Sequence, residues 1–306
     1  DDKPWYEWPE EFKRRDEASL LSFQTDNLEE IDAVMWHQFE IFKRWHEVHE
    51  YAQSKGVYLF GDIPIFVALD SSDVWANPEQ FLLDDDLKPV YIAGVPPDYF
   101  SETGQRWGNP HYDWDHMQKD GFSWWKKRIK HAFESFDIIR IDHFRGLQAS
   151  WMIPAEEKTA INGFWQEAPG DELLIALENE FGKPAIVAED LGVITDEVRQ
   201  LRDDHKLPGM SILQFAFDAF EDNPHKPVNI TPQTVVYSGT HDNNTTAGWF
   251  KDLLPNEQKF VFEILQTAPR TDIAHCLVET AIHSHANTAI VPLQDLLELD
   301  ETARMN

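Results

Sequence analysis

Three acidic side chains each close an apolar run: Asp142 ends FDIIRID, Glu189 ends PAIVAE, and Asp242 follows His241 at the end of TVVYSGTHD. Such runs read as buried strands, so each carboxylate stands at a strand end. Arg140 lies two residues before Asp142. Side chains alternate along a strand, so the two point the same way. A guanidinium beside a carboxylate favours the ionised form. That suits a nucleophile or an electrostatic stabiliser, and a structural ion pair inside a barrel satisfies the same pattern. Glu189 follows its apolar run with no adjacent cation in sequence, which suits an acid/base carboxyl. In parallel α/β sheets and barrels the C-terminal strand ends line one face, and that face holds the site. Three acids converging there need metal ions, cationic partners or a shared catalytic task.

Two chemistries fit. Asp142, Glu189, Asp242 and His241 could hold Mg²⁺, as in metal-dependent barrel lyases and isomerases. Against this, no Lys sits at a strand end to act as base, and Arg140 already neutralises Asp142. Glycoside chemistry needs one ionised carboxylate as nucleophile and one protonated carboxyl as acid/base. His241 could donate a hydrogen bond to a sugar hydroxyl. Flat faces for sugar rings are plentiful, with 12 Trp in the chain, although ordinary core packing accounts for most of them. Tyr99, Phe100 and Trp107 stand out because they sit among Pro and Gly in GVPPDYFSETGQRWGNP rather than in a periodic helix. The segment HEVHE is not the HExxH of a zinc protease, and it reads as a solvated helix face.

The elements that must position these groups alternate. Strands are expected near 57–67, 136–142, 185–189, 212–217, 234–239 and 288–293, and helices near 30–54, 122–133, 171–181, 196–204, 256–267 and 271–284. Alternation argues for a parallel sheet with right-handed crossovers. The first long helix carries Ile31, Met35, Phe39, Phe42 and Trp45 on one stripe, and the helix before Asp142 turns Trp125, Ile129 and Ala132 inward. Six strands are fewer than the eight of a closed (β/α)8 barrel, so a barrel requires strands from elsewhere, whereas an open doubly wound sheet does not. Residues 1–306 read as one domain, with 70–120 and 147–180 as inserted loop and helix regions over the cleft. A loop as long as 70–118 is functional or disordered, and its aromatics disfavour disorder.

Charge and cysteine content narrow the partners. The formal net charge of −29 argues against nucleic acid and anionic membranes. A single cysteine, Cys276, permits no internal disulfide, and the chain has no long apolar span and no signal-like start. A cytoplasmic location is the expectation. The chain opens at Asp1 and stops at Asn306 just after a strand-like run, which suggests a piece of something longer.

RIDHFRG, VAEDLG, SGTHDNN and PPDYFSETGQRWGNP, in that order, together resemble the 4-α-glucanotransferases called amylomaltases or disproportionating enzymes, glycoside hydrolase family 77 of the α-amylase clan. GDIPIFVALDSSDVWANP and LPGMSILQFAFD extend the resemblance over essentially the whole chain. It implies a (β/α)8 barrel, incomplete in this chain, in an enzyme that needs no cofactor and no metal. Asp142 would be the nucleophile, Glu189 the acid/base, and Asp242 a binder of sugar hydroxyls that favours the distorted ring. Arg140, His241 and Asp62 would support the reacting sugar, and Asp98, Tyr99, Phe100 and Trp107 would arch over the cleft. The implied partners are malto-oligosaccharides, starch- or glycogen-derived glucans, and glucose as acceptor. The family's members are larger, with a region before Asp1 and a continuation past RMN. An α-amylase-type hydrolase, a metal-dependent lyase or isomerase, and a non-catalytic glucan-binding module remain the alternatives.

Overall fold

The computed structural model describes residues 3–98, 101–269 and 272–305. Among them the strands run in chain order as β1 (Phe60–Pro64), β2 (Tyr91–Val95), β3 (Gln105–Pro110), β4 (Ile138–Asp142), β5 (Ala149–Pro154), β6 (Phe164–Glu167), β7 (Ile186–Ala188), β8 (Gly209–Ile212), β9 (Thr234–Tyr237) and β10 (Thr288–Ile290). They form a sheet β1-β4-β7, a sheet β10-β9-β8 and a sheet β3-β2-β5-β6. None of these sheets closes into a barrel. The chain divides into two compact units, residues 1–186 with 194–201, and residues 187–193 with 202–306.

In the first unit β1 and β4 pair in parallel, with Asp62 opposite Arg140 and Pro64 opposite Asp142. Ile139 and Ile141 on β4 are fully buried, and β-branched side chains suit such a pleated surface. Burying each contributes roughly 1.5–3 kcal/mol. The helix Ser123–Ser135 buries Trp124, Trp125, Ile129 and Ala132, the last three as expected. Gly61 is required within β1, because a Cβ there would stand 2.3 Å from the Phe136 ring.

The helix Leu28–Ser54 departs from expectation on both its faces. Its apolar stripe is largely uncovered, Met35 being 63% and Phe39 58% exposed. Its second half is engaged: Trp45 donates from Nε1 to the Ser135 carbonyl at 2.8 Å, and Phe42 meets the His131 ring. The HEVHE segment is not a wholly solvated face either. His49 is buried and lies 3.0 Å from Asp137, which also accepts from Gln53 Nε2 and the Leu59 amide.

The regions 70–120 and 147–180, expected as loops and helices, hold the helices Ser72–Ala76, Trp114–Lys119 and Gly170–Phe181 and in addition carry the antiparallel sheet, with β2 between β3 and β5 and β6 at the far edge. Gly94 allows β3 to approach, since a Cβ there would stand 2.1 Å from the Gln105 carbonyl oxygen. Trp151 and Trp165 face each other across β5 and β6, ring centroids 5.2 Å apart.

In the second unit β8, β9 and β10 run parallel. Val236, Leu213, Val261, Phe262, Cys276 and Leu277 form the core. The strand expected at 212–217 is in fact β8, ending at Ile212, and Leu213–Phe215 turn into a 3-10 helix. A short apolar run does not by itself tell strand from helix. The last strand is likewise shorter than expected: Pro292 follows β10 and caps a short helix, Leu293–Leu296, as a residue with no amide donor and a fixed φ favours. Among the described residues no helix is long and apolar enough to cross a membrane.

Candidate active site

Arg140 organises the first unit's part of the site. It is 7% exposed, and its guanidinium forks onto Asp62, Nε to Oδ1 at 2.8 Å and Nη2 to Oδ2 at 2.6 Å. The same Nη2 donates to Asp142 Oδ1 at 3.0 Å. The parallel register places Asp62 directly across from Arg140, and alternation puts Asp142 on the same side. Both carboxylates keep close to half of their side-chain surface open. One fixed cation thus orients two accessible carboxylates, and a lysine could not reproduce the fork. The expected trio Asp62, Arg140 and Asp142 is brought together.

Directly after Asp142 the chain turns left-handed at His143, with φ 54° and ψ 48°. The His143 ring meets Trp107 edge to face, centroids 4.8 Å apart. Trp107 lies on β3, not in a loop. Two residues on, the Arg145 guanidinium sits 3.9 Å from the Trp165 ring centroid, a cation–π contact. Asp98 accepts from the Ser101 amide at 2.8 Å, and its own amide donates to the Ser101 carbonyl. Tyr99 and Phe100 lie outside the described residues.

Burial pushes the His143 imidazole from the ordinary 6.5 down to about 4, helped by the Arg145 charge, and burial does the same to His111. An unfolded chain takes up these protons near pH 6.5 and the folded one only near pH 4. The stability that these two rings contribute is therefore complete above pH 6.5 and falls as pH drops towards 4. Titration of the ring resonances by NMR is expected to give midpoints well below 6, and midpoints near 6.5 would contradict the burial.

The second unit carries Glu189, His241 and Asp242. Glu189 follows β7, and its Oε1 accepts from the Leu191 amide at 3.1 Å. The next residue, Asp190, is held by Arg202 and by the Met210 amide at 2.7 Å. Gly209 leaves room for it, since a Cβ would stand 2.5 Å from Asp190 Oδ2. His241 and Asp242 come together, His241 Nε2 lying 3.6 Å from Asp242 Oδ1. Their turn is pinned by Asn243 Oδ1, which accepts from both the amide and the hydroxyl of Thr240. Beneath it Asp295, 1% exposed, accepts from the Ser238 hydroxyl and from the amide and hydroxyl of Thr246. Asp295 and Arg202 hold the segments next to Asp242 and Glu189 and were not legible as such; Arg202 grips Asp190 from the following helix, and Asp295 lies 49 residues beyond Thr246. Among the described residues no group of three or more His, Cys, Asp or Glu side chains is placed to hold a metal ion.

Comparison with known proteins matches this chain to one family. The family model described as 4-alpha-glucanotransferase, glycoside hydrolase family 77, matches residues 1–306. The chain is 49% identical over 303 residues to the chloroplastic/amyloplastic 4-alpha-glucanotransferase of Solanum tuberosum, covering 99% of this chain and 52% of that protein. It is 45% identical over 310 residues to the 4-alpha-glucanotransferase of Thermus thermophilus, covering 99% of this chain and 62% of that one. The solved structure of Streptococcus agalactiae amylomaltase in complex with acarbose superposes with a TM-score of 0.96 at 38% identity, over all of this chain and 62% of that one. The Corynebacterium glutamicum amylomaltase, 17% identical with a TM-score of 0.73 over 85% of this chain and 42% of that one, shares the fold. The chain spans about half the length of the plant relatives it matches and 60–63% of the bacterial ones. The match from first residue to last places the chain in the 4-alpha-glucanotransferase family.

Proposed function

We propose that the full-length protein transfers α-1,4-glucan segments between malto-oligosaccharides, or from them to glucose, by a retaining double displacement. The observation that carries this reading is the Arg140 fork, which presents an accessible Asp142 at the end of β4 in a chain of this family. Asp142 attacks the anomeric carbon of the donor, and the glycosidic C–O bond breaks as Glu189 gives its proton to the leaving oxygen. The glucosyl group is then an ester of Asp142. An acceptor hydroxyl attacks the same carbon, Glu189 takes the hydroxyl proton, and the ester bond breaks with the α configuration restored. Asp242 and His241 hold ring hydroxyls, and Asp62 orients the sugar beside Arg140.

The sheets β1-β4-β7 and β10-β9-β8 belong, on this reading, to one (β/α)8 barrel, completed by the rest of the full-length protein. The domain is single, and 70–120 with 147–180 cover its cleft. Asp98, Tyr99, Phe100 and Trp107 keep water from the ester, so a sugar acceptor wins over hydrolysis. Starch- or glycogen-derived glucans serve as donors in the cytoplasm. The acarbose bound to the Streptococcus agalactiae relative supports an oligosaccharide ligand. Incubating the full-length protein with maltotriose tests the reading. The expected products are a ladder longer than three glucoses together with free glucose. Maltose and glucose alone mean hydrolysis and overturn it.

A further inference from the structure

The turn after Asp142 carries a second device. His143 sits in the left-handed region at φ 54°, where a residue with a Cβ is held only if its surroundings over-determine it. Those surroundings are specific. The residue is half-buried, with its Nε2 shielded from solvent, and Gly146 leaves the ring room, because a Cβ at Gly146 would stand 3.3 Å from His143 Cδ2 and 2.7 Å from Ile65 Cδ1. Its face or edge is spent on Trp107, with centroids 4.8 Å apart and planes at 86°. Trp107 in turn keeps 39% of its surface open. Within the same turn Arg145 lies over Trp165. Asp142, the two indoles and the short turn between them are therefore one unit of structure, with the left-handed residue at its pivot.

We propose that His143 is a positioning residue that fixes Trp107 as a sugar-stacking wall next to Asp142, and so sets affinity for the oligosaccharide. This rests on the glucanotransferase reading above. In the full-length protein His143→Ala is expected to raise KM for maltotriose about three- to tenfold, the worth of one aromatic pair, and to raise KM more than it lowers kcat. His143→Phe, which keeps a flat ring, recovers most of the loss and covers the case in which the alanine variant does not fold. In a Trp107→Ala background His143→Ala adds no further effect. An equal effect with and without Trp107, or phenylalanine as harmful as alanine, overturns the proposal.

A readout independent of turnover accompanies the cycle. The ring-proton resonances of His143 are expected to move on Trp107→Ala as the indole ring current is lost. A missing product ladder from the unmodified protein fails the glucanotransferase reading and this inference with it; with the ladder present, the resonance tests the positioning by itself. Unmoved resonances overturn it.

Discussion

Asp142→Asn in the full-length protein is expected to lower transfer from maltotriose by at least about 10³-fold, as loss of a covalent nucleophile does, while oligosaccharide binding persists. The amide is isosteric with the carboxylate but cannot form the glucosyl ester. The variant is expected to fold, because Arg140 keeps both of its bonds to Asp62 and the new side chain retains an oxygen for Nη2. Calorimetric titration with maltotriose separates the two effects. Turnover near that of the parent would remove Asp142 from the chemistry, and lost binding with lost turnover would make it a binding residue only.

Glu189→Gln is expected to lower transfer from maltotriose by about 10²–10⁴-fold, the usual worth of a general acid–base. The Leu191 amide, which donates to Glu189 Oε1, keeps an acceptor in the glutamine oxygen, so the local turn survives. What is lost is the proton for the leaving sugar. A donor that leaves without protonation, α-glucosyl fluoride, is therefore expected to restore the first step in part. Equal loss with maltotriose and with the fluoride would contradict the acid role.

What was legible in the chain follows from the range of the interactions involved. Strands β4, β7 and β9 lie where continuous apolar runs place them, and Arg140 with Asp142 is a relation two residues long, so alternation alone aligns it. The partner that Arg140 grips most fully, Asp62, lies 78 residues earlier. No local pattern reveals that bond; only the resemblance to the family pointed to Asp62. The buried pairing of His49 with Asp137 was missed for the same reason, as HEVHE alone reads as a polar helix face.

The antiparallel sheet escaped for a different reason. Its strands are short, carry Gly94 and Gly108 within them, and are separated by prolines and glycines that signal loops. Cross-strand pairing such as Trp151 with Trp165 stabilises them, and that is a tertiary effect. The helix Leu28–Ser54 shows the converse. Its period was plain, but a period says that a face is apolar and not what covers it, and in this chain Met35 and Phe39 remain exposed.

The central claim is that Asp142 carries the sugar between donor and acceptor. The Glu189→Gln protein incubated with α-glucosyl fluoride offers the most direct view of it. Fluoride leaves as the C1–O bond to the carboxylate forms, and no base remains at position 189 to activate the next acceptor. Peptide mass spectrometry is expected to find one added hexosyl group on the peptide containing Asp142. A hexosyl group on any other carboxylate, or fluoride consumption with unmodified Asp142 throughout, would contradict the account.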